Sequence, residues 1–291
     1  MQARDYVAPA TVDEAVSVLA SKGGSARLLA GGTDIIIMVR ENRRPVETFV
    51  DVKKIPELLD VTLRPDGSLR VGAAATCVRL YRDAELRRRF PAIIDSAELI
   101  GGMQIQSRAS FGGNLCNSSP AADSIPTMIA LSATAEIAGP NGRRSVPVAS
   151  FCTGPGQNVL QAGEILVAIE FPAPPAHSGA AFERFIPRNE MDIAVTNAAA
   201  SVVLSADGAR FESGLVSIGA VAPTPLLVAA AGAALAGQPV NEETIGRAAD
   251  AARAAARPIT DMRGSVAQRR HLAGVLTANV IRTAVERARA R

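Results

Sequence analysis

Tryptophan is absent from this 291-residue chain, aromatic residues make up only 3%, and there are just two histidines and three cysteines. Each scarcity closes off a class of chemistry. Cys77, Cys116 and Cys152 are odd in number, far apart and without C-x-x-C spacing, which argues against a disulfide framework, a zinc site or an iron–sulfur cluster carried by this chain. His177 and His271 have no ligand or triad partner in the pattern around them, so both are expected on the surface and no metal is predicted. No uninterrupted apolar run approaches the roughly 20 residues that cross a bilayer, although 48% of residues are hydrophobic. The start, M-Q-A-R-D-Y, lacks the apolar core of a secretory signal, so the chain is expected to stay in the cytoplasm. The net charge of +3 is close to balance. Arginines do cluster at Arg79, Arg82, Arg87, Arg88 and Arg89, and again at Arg263, Arg269 and Arg270. No aromatic ladder accompanies them, so a solvated or subunit-facing surface is expected rather than a nucleic-acid site.

What the chain does have is paired glycine, which two separated segments combine with short polar side chains. Residues 28–35 read L-L-A-G-G-T-D-I, an apolar run feeding Gly31-Gly32 and then Thr33 and Asp34; residues 100–123 read I-G-G-M-Q-I-Q-S-R-A-S-F-G-G-N-L-C-N-S-S-P-A-A-D. Glycine accepts positive φ and has no side chain, so amide N–H groups at Gly31-Gly32 and Gly112-Gly113 can converge on phosphate oxygens. Thr33, Ser110, Asn114 and Ser118 add neutral hydrogen-bonding groups. Asp123 would repel a phosphate but suits a ribose hydroxyl, which donates to a carboxylate. Together these groups point to a dinucleotide held from two sides.

Thr11 and Glu14 form a capping-box pattern before a helix over 12–21 that Gly23-Gly24 end. Strands over 27–30 and 49–52 complete a small α/β lobe through about residue 55. Pro65-Asp66-Gly67 signals a hairpin within 61–73, followed by helices over 78–89 and 92–99 around Pro91. The long glycine signature reads as a loop, with Asp123 placed to cap a helix over 124–131. Strands are predicted over 134–138, 143–148 and 165–171. Pro172, Pro174, Pro175, His177, Ser178 and Gly179 form the clearest linker, which places a domain boundary near residue 176. Beyond it come strands over 193–204 and 211–220, then alanine-rich helices over 226–236, 243–256 and 268–289.

Both glycine segments resemble the two flavin-binding signatures of the flavoprotein subunit of the xanthine dehydrogenase and carbon monoxide dehydrogenase family, the molybdenum hydroxylases. The segments G-E-I-L-V-A-I-E-F-P at 163–172 and F-E-R-F-I-P-R-N-E-M-D-I-A at 182–194 are similar to the family's strand beside the flavin ring and its basic stretch. The resemblance implies an α+β protein: a two-lobed FAD-binding domain of the PCMH/vanillyl-alcohol-oxidase-like type over residues 1–176, with lobes 1–55 and 56–176. A C-terminal α+β domain of the CO dehydrogenase flavoprotein type, an antiparallel sheet with helices, would cover 177–291. It assigns Leu28, Leu29, Ala30, Gly31, Gly32, Thr33, Asp34 and Ile35, with Ser110, Gly112, Gly113 and Asn114, to the diphosphate, and Asp123 to the adenosine side. Ile100 and Leu166 are assigned to packing against the flavin. Arg184 is placed nearby, where the family often has lysine; arginine keeps the charge but changes donor geometry.

The implied function is electron transfer. A flavin does its own redox chemistry, so no catalytic side chain is expected, and with no histidine at the first binding loop the FAD is expected to be noncovalent. The resemblance implies an iron–sulfur small subunit and a molybdenum-cofactor large subunit as partners, in a dimer of heterotrimers, with the two-iron clusters and molybdenum held only there. Electrons would reach FAD on this chain and leave to NAD, a quinone or another acceptor. A free-standing FAD-dependent oxidoreductase and a noncatalytic FAD-binding assembly module stand as the alternatives.

Overall fold

The computed structural model describes residues 5–188 and 191–290; the first four residues and the Asn189-Glu190 part of the basic stretch lie outside the described residues. The first lobe comprises β1 (Asp5–Val7), α1 (Val12–Lys22), β2 (Ala26–Leu29), α2 (Ile35–Arg40), β3 (Thr48–Asp51) and α3 (Pro56–Leu59). Its parallel sheet has the order β1-β3-β2, leaving β2 as an edge. Half of the predicted capping box forms: Glu14 N donates to Thr11 Oγ1 at 3.2 Å, while Glu14 Oε2 accepts from Ala10 N at 2.8 Å, one residue before the N-cap. Val12, Ala15, Val16 and Leu19 of α1 are buried, as their 3.6-residue spacing requires. The sequence reading has no α2, because the unbroken apolar run at its start carries no helical periodicity.

The second lobe begins with β4 (Val61–Leu63) and β5 (Leu69–Gly72), continues through α4 (Cys77–Tyr81), α5 (Ala84–Arg89), α6 (Pro91–Ala97), α7 (Met103–Gln106), α8 (Phe111–Asn117) and α9 (Ser124–Ala130), and closes with β6 (Thr134–Gly139), β7 (Gly142–Pro147), β8 (Cys152–Gly154), β9 (Gln157–Asn158) and β10 (Ile165–Phe171). Its main sheet is antiparallel with the order β4-β5-β10-β6-β7. Phe90 and Phe171 meet edge to face in the core, with ring centroids 6.3 Å apart. The helix expected over 78–89 is two helices, because Asp83 Oδ1 accepts from Glu85 N and Leu86 N and starts a new one. The glycine signature is not a loop either: it folds into α7 and α8. Helix α9 begins where expected, yet Asp123 does not cap it. Asn114 Oδ1 takes that role, accepting from Ser124 Oγ at 2.6 Å and Ser124 N at 3.3 Å.

The remaining chain forms β11 (Ser178–Phe185), β12 (Thr196–Leu204), β13 (Phe211–Gly219), β14 (Leu226–Leu227), α10 (Ala229–Leu235), α11 (Glu242–Ala255) and α12 (Val266–Arg289). The four strands pair antiparallel in sequence order. Residues 178–185, expected as linker and basic stretch, are instead a full strand. Its small residues allow close packing: a Cβ on Gly179 would lie 2.0 Å from the Ala284 carbonyl oxygen of α12. Helices α6 and α9 press on this sheet, and Asp95 of α6 joins the two parts, accepting from Arg287 at 2.6 and 3.0 Å and from Phe182 N at 3.2 Å. Arg269, expected at the surface, is only 4% exposed. Its guanidinium bonds the carbonyls of Val195 and Ala220 and the Asp261 carboxylate, so it is an internal strut. Both histidines are exposed, as expected.

Candidate functional site

A cavity of about 410 Å³ runs between the two lobes. The first glycine turn leaves β2 and borders it with Ala30, Gly31, Gly32, Thr33, Asp34 and Ile35; Ser110, Gly112, Gly113 and Asn114 border it from α8. Ile100, Leu28 and Leu166 complete the predicted set that lines it. Segments almost eighty residues apart in sequence therefore border one cavity.

The four signature glycines have different tasks. A Cβ on Gly31 would fall 2.1 Å from the Arg108 carbonyl oxygen, and one on Gly112 would fall 2.3 Å from the Ala73 carbonyl oxygen. These two residues are small because backbone packs against backbone. Gly32 has φ +77, a left-handed value glycine adopts at no steric cost. Gly113 is exposed, and an added Cβ would meet only Ser110 Oγ at 3.1 Å. Of the four, it is the one whose absent side chain leaves room in the cavity.

Donors are divided unequally too. Gly113 N donates to Ser110 Oγ at 3.0 Å and Asn114 N to Ser110 O at 2.9 Å, so these amides serve the helix rather than a ligand. Among the described residues, the amide N–H groups of Gly31, Gly32 and Thr33 donate to no protein acceptor. They border the cavity as a short row of unspent donors, an arrangement that suits an anion. The second lobe's helix supplies mainly space.

The turn is anchored from behind by a group the sequence reading missed. Lys53 Nζ donates to Ala30 O at 3.1 Å and to Asp51 Oδ1 at 2.6 Å. Asp51 is 6% exposed and also accepts from the Tyr6 hydroxyl. Burial acts to raise the Asp51 carboxyl, but the hydrogen bonds from Lys53 and Tyr6 outweigh it and hold the group below its ordinary value. The available signal was the pairing of β2 with β3 (Leu29 opposite Asp51), which sets the end of one strand beside the turn that follows the other.

Four predicted residues do not border the cavity. Leu29 points into a separate apolar cluster with Val39, Val46 and Phe49, because neighbouring strand residues face opposite ways. Ser118 is fully buried, ends α8 at φ +50 and donates its hydroxyl to Leu115 O. Asp123 and Arg184 form a buried ion pair at 2.6 Å, with side chains 12% and 4% exposed, where α9 meets the C-terminal sheet. Burial pushes the Asp123 carboxyl up to about 6, and the neighbouring Arg184 charge only partly opposes it. Cys116 borders the cavity, but burial pushes its thiol up to about 12, so it is no nucleophile at neutral pH. No group of acidic, histidine or cysteine side chains able to hold a metal exists among the described residues.

Residues 1–174 match the family of FAD binding domains in molybdopterin dehydrogenase, and residues 181–284 match the CO dehydrogenase flavoprotein C-terminal domain. The xanthine dehydrogenase FAD-binding subunit of Escherichia coli O157:H7 is 36% identical, over 96% of this chain and 95% of the relative. The carbon monoxide dehydrogenase medium chain of Afipia carboxidovorans is 34% identical, over 99% and 97%. In the solved carbon monoxide dehydrogenase from Hydrogenophaga pseudoflava, one chain superposes with a TM-score of 0.93 at 32% identity, over 98% of both chains.

Proposed function

From a chain that belongs to the FAD-binding subunits of the xanthine dehydrogenase and carbon monoxide dehydrogenase family of molybdenum hydroxylases, we propose that the cavity between its lobes is the FAD site. The protein is an oxidoreductase subunit of the flavoprotein type. The observation that carries the site assignment is the row of unspent N–H donors at Gly31, Gly32 and Thr33 opening on the space left by Gly113. These residues fit a diphosphate: neutral donors on one side and bare backbone on the other, with the Asp34 carboxylate beside them taken up by Thr33 and Asn117.

In this reading, Lys53 holds the turn through Ala30, and Ser110 and Asn114 hold the facing wall. Ile100 and Leu166 offer apolar surface to the flavin ring, while Asp123 and Arg184 brace the wall from behind, one residue from the Ser124 that Asn114 binds. Bound FAD supplies the redox chemistry. The side chains bind, orient and shield, and none is assigned a catalytic role. We place the boundary between FAD-binding and C-terminal domains near residue 176, just before β11. The chain works in a multi-subunit enzyme beside an iron–sulfur subunit and a molybdenum-cofactor subunit, as a dimer of heterotrimers in the cytoplasm, and delivers electrons to a terminal acceptor such as NAD or a quinone. No helix among the described residues is long and apolar enough to cross a membrane.

Equilibrium titration of the flavin-free chain with FAD, followed by flavin fluorescence, tests the assignment. One FAD per chain, lost in Gly113→Val, is the expected result. A protein that takes up no FAD, alone or with its partner subunits, overturns it.

A further inference from the structure

Three of the chain's six methionines, Met103, Met191 and Met262, stand 77%, 60% and 93% exposed, and the fold gathers them into one band. Met103 opens α7, three residues after Ile100 on the cavity wall. A Cβ on Gly102 would lie 3.2 Å from Met191 Cγ, so the segment between β11 and β12 rests against the glycine signature. Exposed Ile193 continues that segment. On its far side a Cβ on Gly264 would meet Val195 Cγ1 at 3.0 Å, and buried Arg269 bonds both the Val195 carbonyl and Asp261. Asp261 Oδ1 also accepts from Arg263 N at 2.8 Å and Gly264 N at 3.2 Å. The turn that carries Met262, with exposed Ile259 before it, is thus braced from inside, and its apolar side chains are held out in water.

Large apolar side chains gathered on one exposed face mark a contact with another protein, and methionine and arginine are enriched at the centres of such contacts. The charges around this band are unbalanced. Asp192 is paired with Arg188 at 3.2 Å and lies near Arg263 as well, and Asp261 is spent on Arg269. Among the described residues Arg257, Arg263 and Arg270 pair with no carboxylate, so the rim is positive and suits an acidic partner. A narrow band flanked by charge fits the small interfaces of transient redox encounters, below about 1,200 Å², better than a permanent subunit contact. None of the five apolar side chains borders the cavity, and methionine and isoleucine offer no donors to a dinucleotide's phosphates. We propose that this band docks a small acidic one-electron carrier protein of the ferredoxin class beside the Ile100 end of the cavity, and that this carrier is the terminal acceptor. The inference rests on the reading that the cavity holds FAD with its ring at Ile100. Two carrier molecules each take one electron from FADH2, which returns to FAD as two protons pass to solvent.

Calorimetric titration of the FAD-loaded full chain with a two-iron ferredoxin, at low salt and at about 0.3 M, tests it in wild type, Met103→Asp and Met262→Asp, with FAD uptake followed on the same samples. Each substitution should weaken ferredoxin about tenfold, because the new negative charge faces an acidic partner, and should leave FAD uptake unchanged. Added salt should weaken the wild-type complex too. Met262 is almost wholly in solvent and an acid is favourable in the first turn of a helix, where Met103 stands, so both variants should fold. Equal affinity in wild type and both variants, or no ferredoxin binding at either salt, overturns the docking surface while leaving the FAD site standing. Loss of ferredoxin binding once the chain is assembled with its partner subunits overturns it as well, by giving the band to the assembly. A wild-type chain that takes up no FAD refutes the cavity reading itself, and the acceptor role with it.

Discussion

Gly31 and Arg108 touch backbone to backbone: a Cβ on the glycine would fall 2.1 Å from the arginine carbonyl oxygen. Here the turn of the first lobe meets the segment leading into α8, and the distance between the lobes is set by the absence of one methyl group.

Gly31→Ala should therefore destabilise the protein by about 1–3 kcal/mol through overpacking, with Gly112→Ala comparable because its clash is with Ala73 backbone. Thermal melts read this directly. A change in melting temperature under about 1 °C in both variants would contradict the packing role.

Gly113→Val should behave in the opposite way. A Cβ there meets only Ser110 Oγ, at 3.1 Å, beside the cavity, so the loss of stability should be smaller than for Gly31→Ala, below about 1 kcal/mol, while FAD content falls to background. Flavin absorbance after purification, beside a melt, separates the two effects; normal flavin content would refute the assignment.

Lys53→Met removes the donor to Ala30 O and the cation beside buried Asp51. The expected cost is about 1–3 kcal/mol for an acceptor left short of a partner, together with weaker FAD binding. Asp51 is held below its ordinary value, so its favourable contribution is present above the ordinary aspartate pKa of about 3.9 and is lost as pH falls through the folded value. Loss of Lys53 lessens that depression. The variant's stability should consequently vary less with pH below about pH 4, and an unaltered acid limb would count against the anchor.

Arg184→Met leaves Asp123 buried without its cation and should cost about 3–5 kcal/mol at neutral pH. The folded Asp123 carboxyl is raised to about 6, so the native state holds its proton more tightly than the unfolded chain. This group's contribution to stability then fades as pH rises from the ordinary carboxylate range through about 6. Without Arg184 the value rises further. The deficit of Arg184→Met should be smaller at pH 5 than at pH 8, and adding Asp123→Asn should recover part of it. Denaturant melts showing the same deficit at both pH values would exclude a charge-based origin.

Much of the architecture is legible in short-range pattern. Helix α1, strand β10 and the final helices follow from apolar spacing and capping residues within a few positions of one another. Failures occur where a distant group decides. Asp123 looks like a helix cap, yet Arg184 from β11 claims its carboxylate and Asn114 caps α9 instead. Residues 178–185 look like linker, yet pairing with β12 makes them a strand. Arg269 looks like surface charge, yet two backbone carbonyls and Asp261 enclose it.

Composition and local order alone determined that this chain carries two glycine-paired signatures and lacks the cysteines for a cluster of its own, because those facts depend only on residue type and neighbours. The distribution of roles among the glycines was decided by tertiary structure. Gly31 and Gly112 accommodate backbone from Arg108 and Ala73, whereas Gly113 leaves room in the cavity. The same holds for Lys53 behind the turn. A steric clash or an unspent donor belongs to a pair of segments, and until the chain folds nothing specifies which segments will be neighbours.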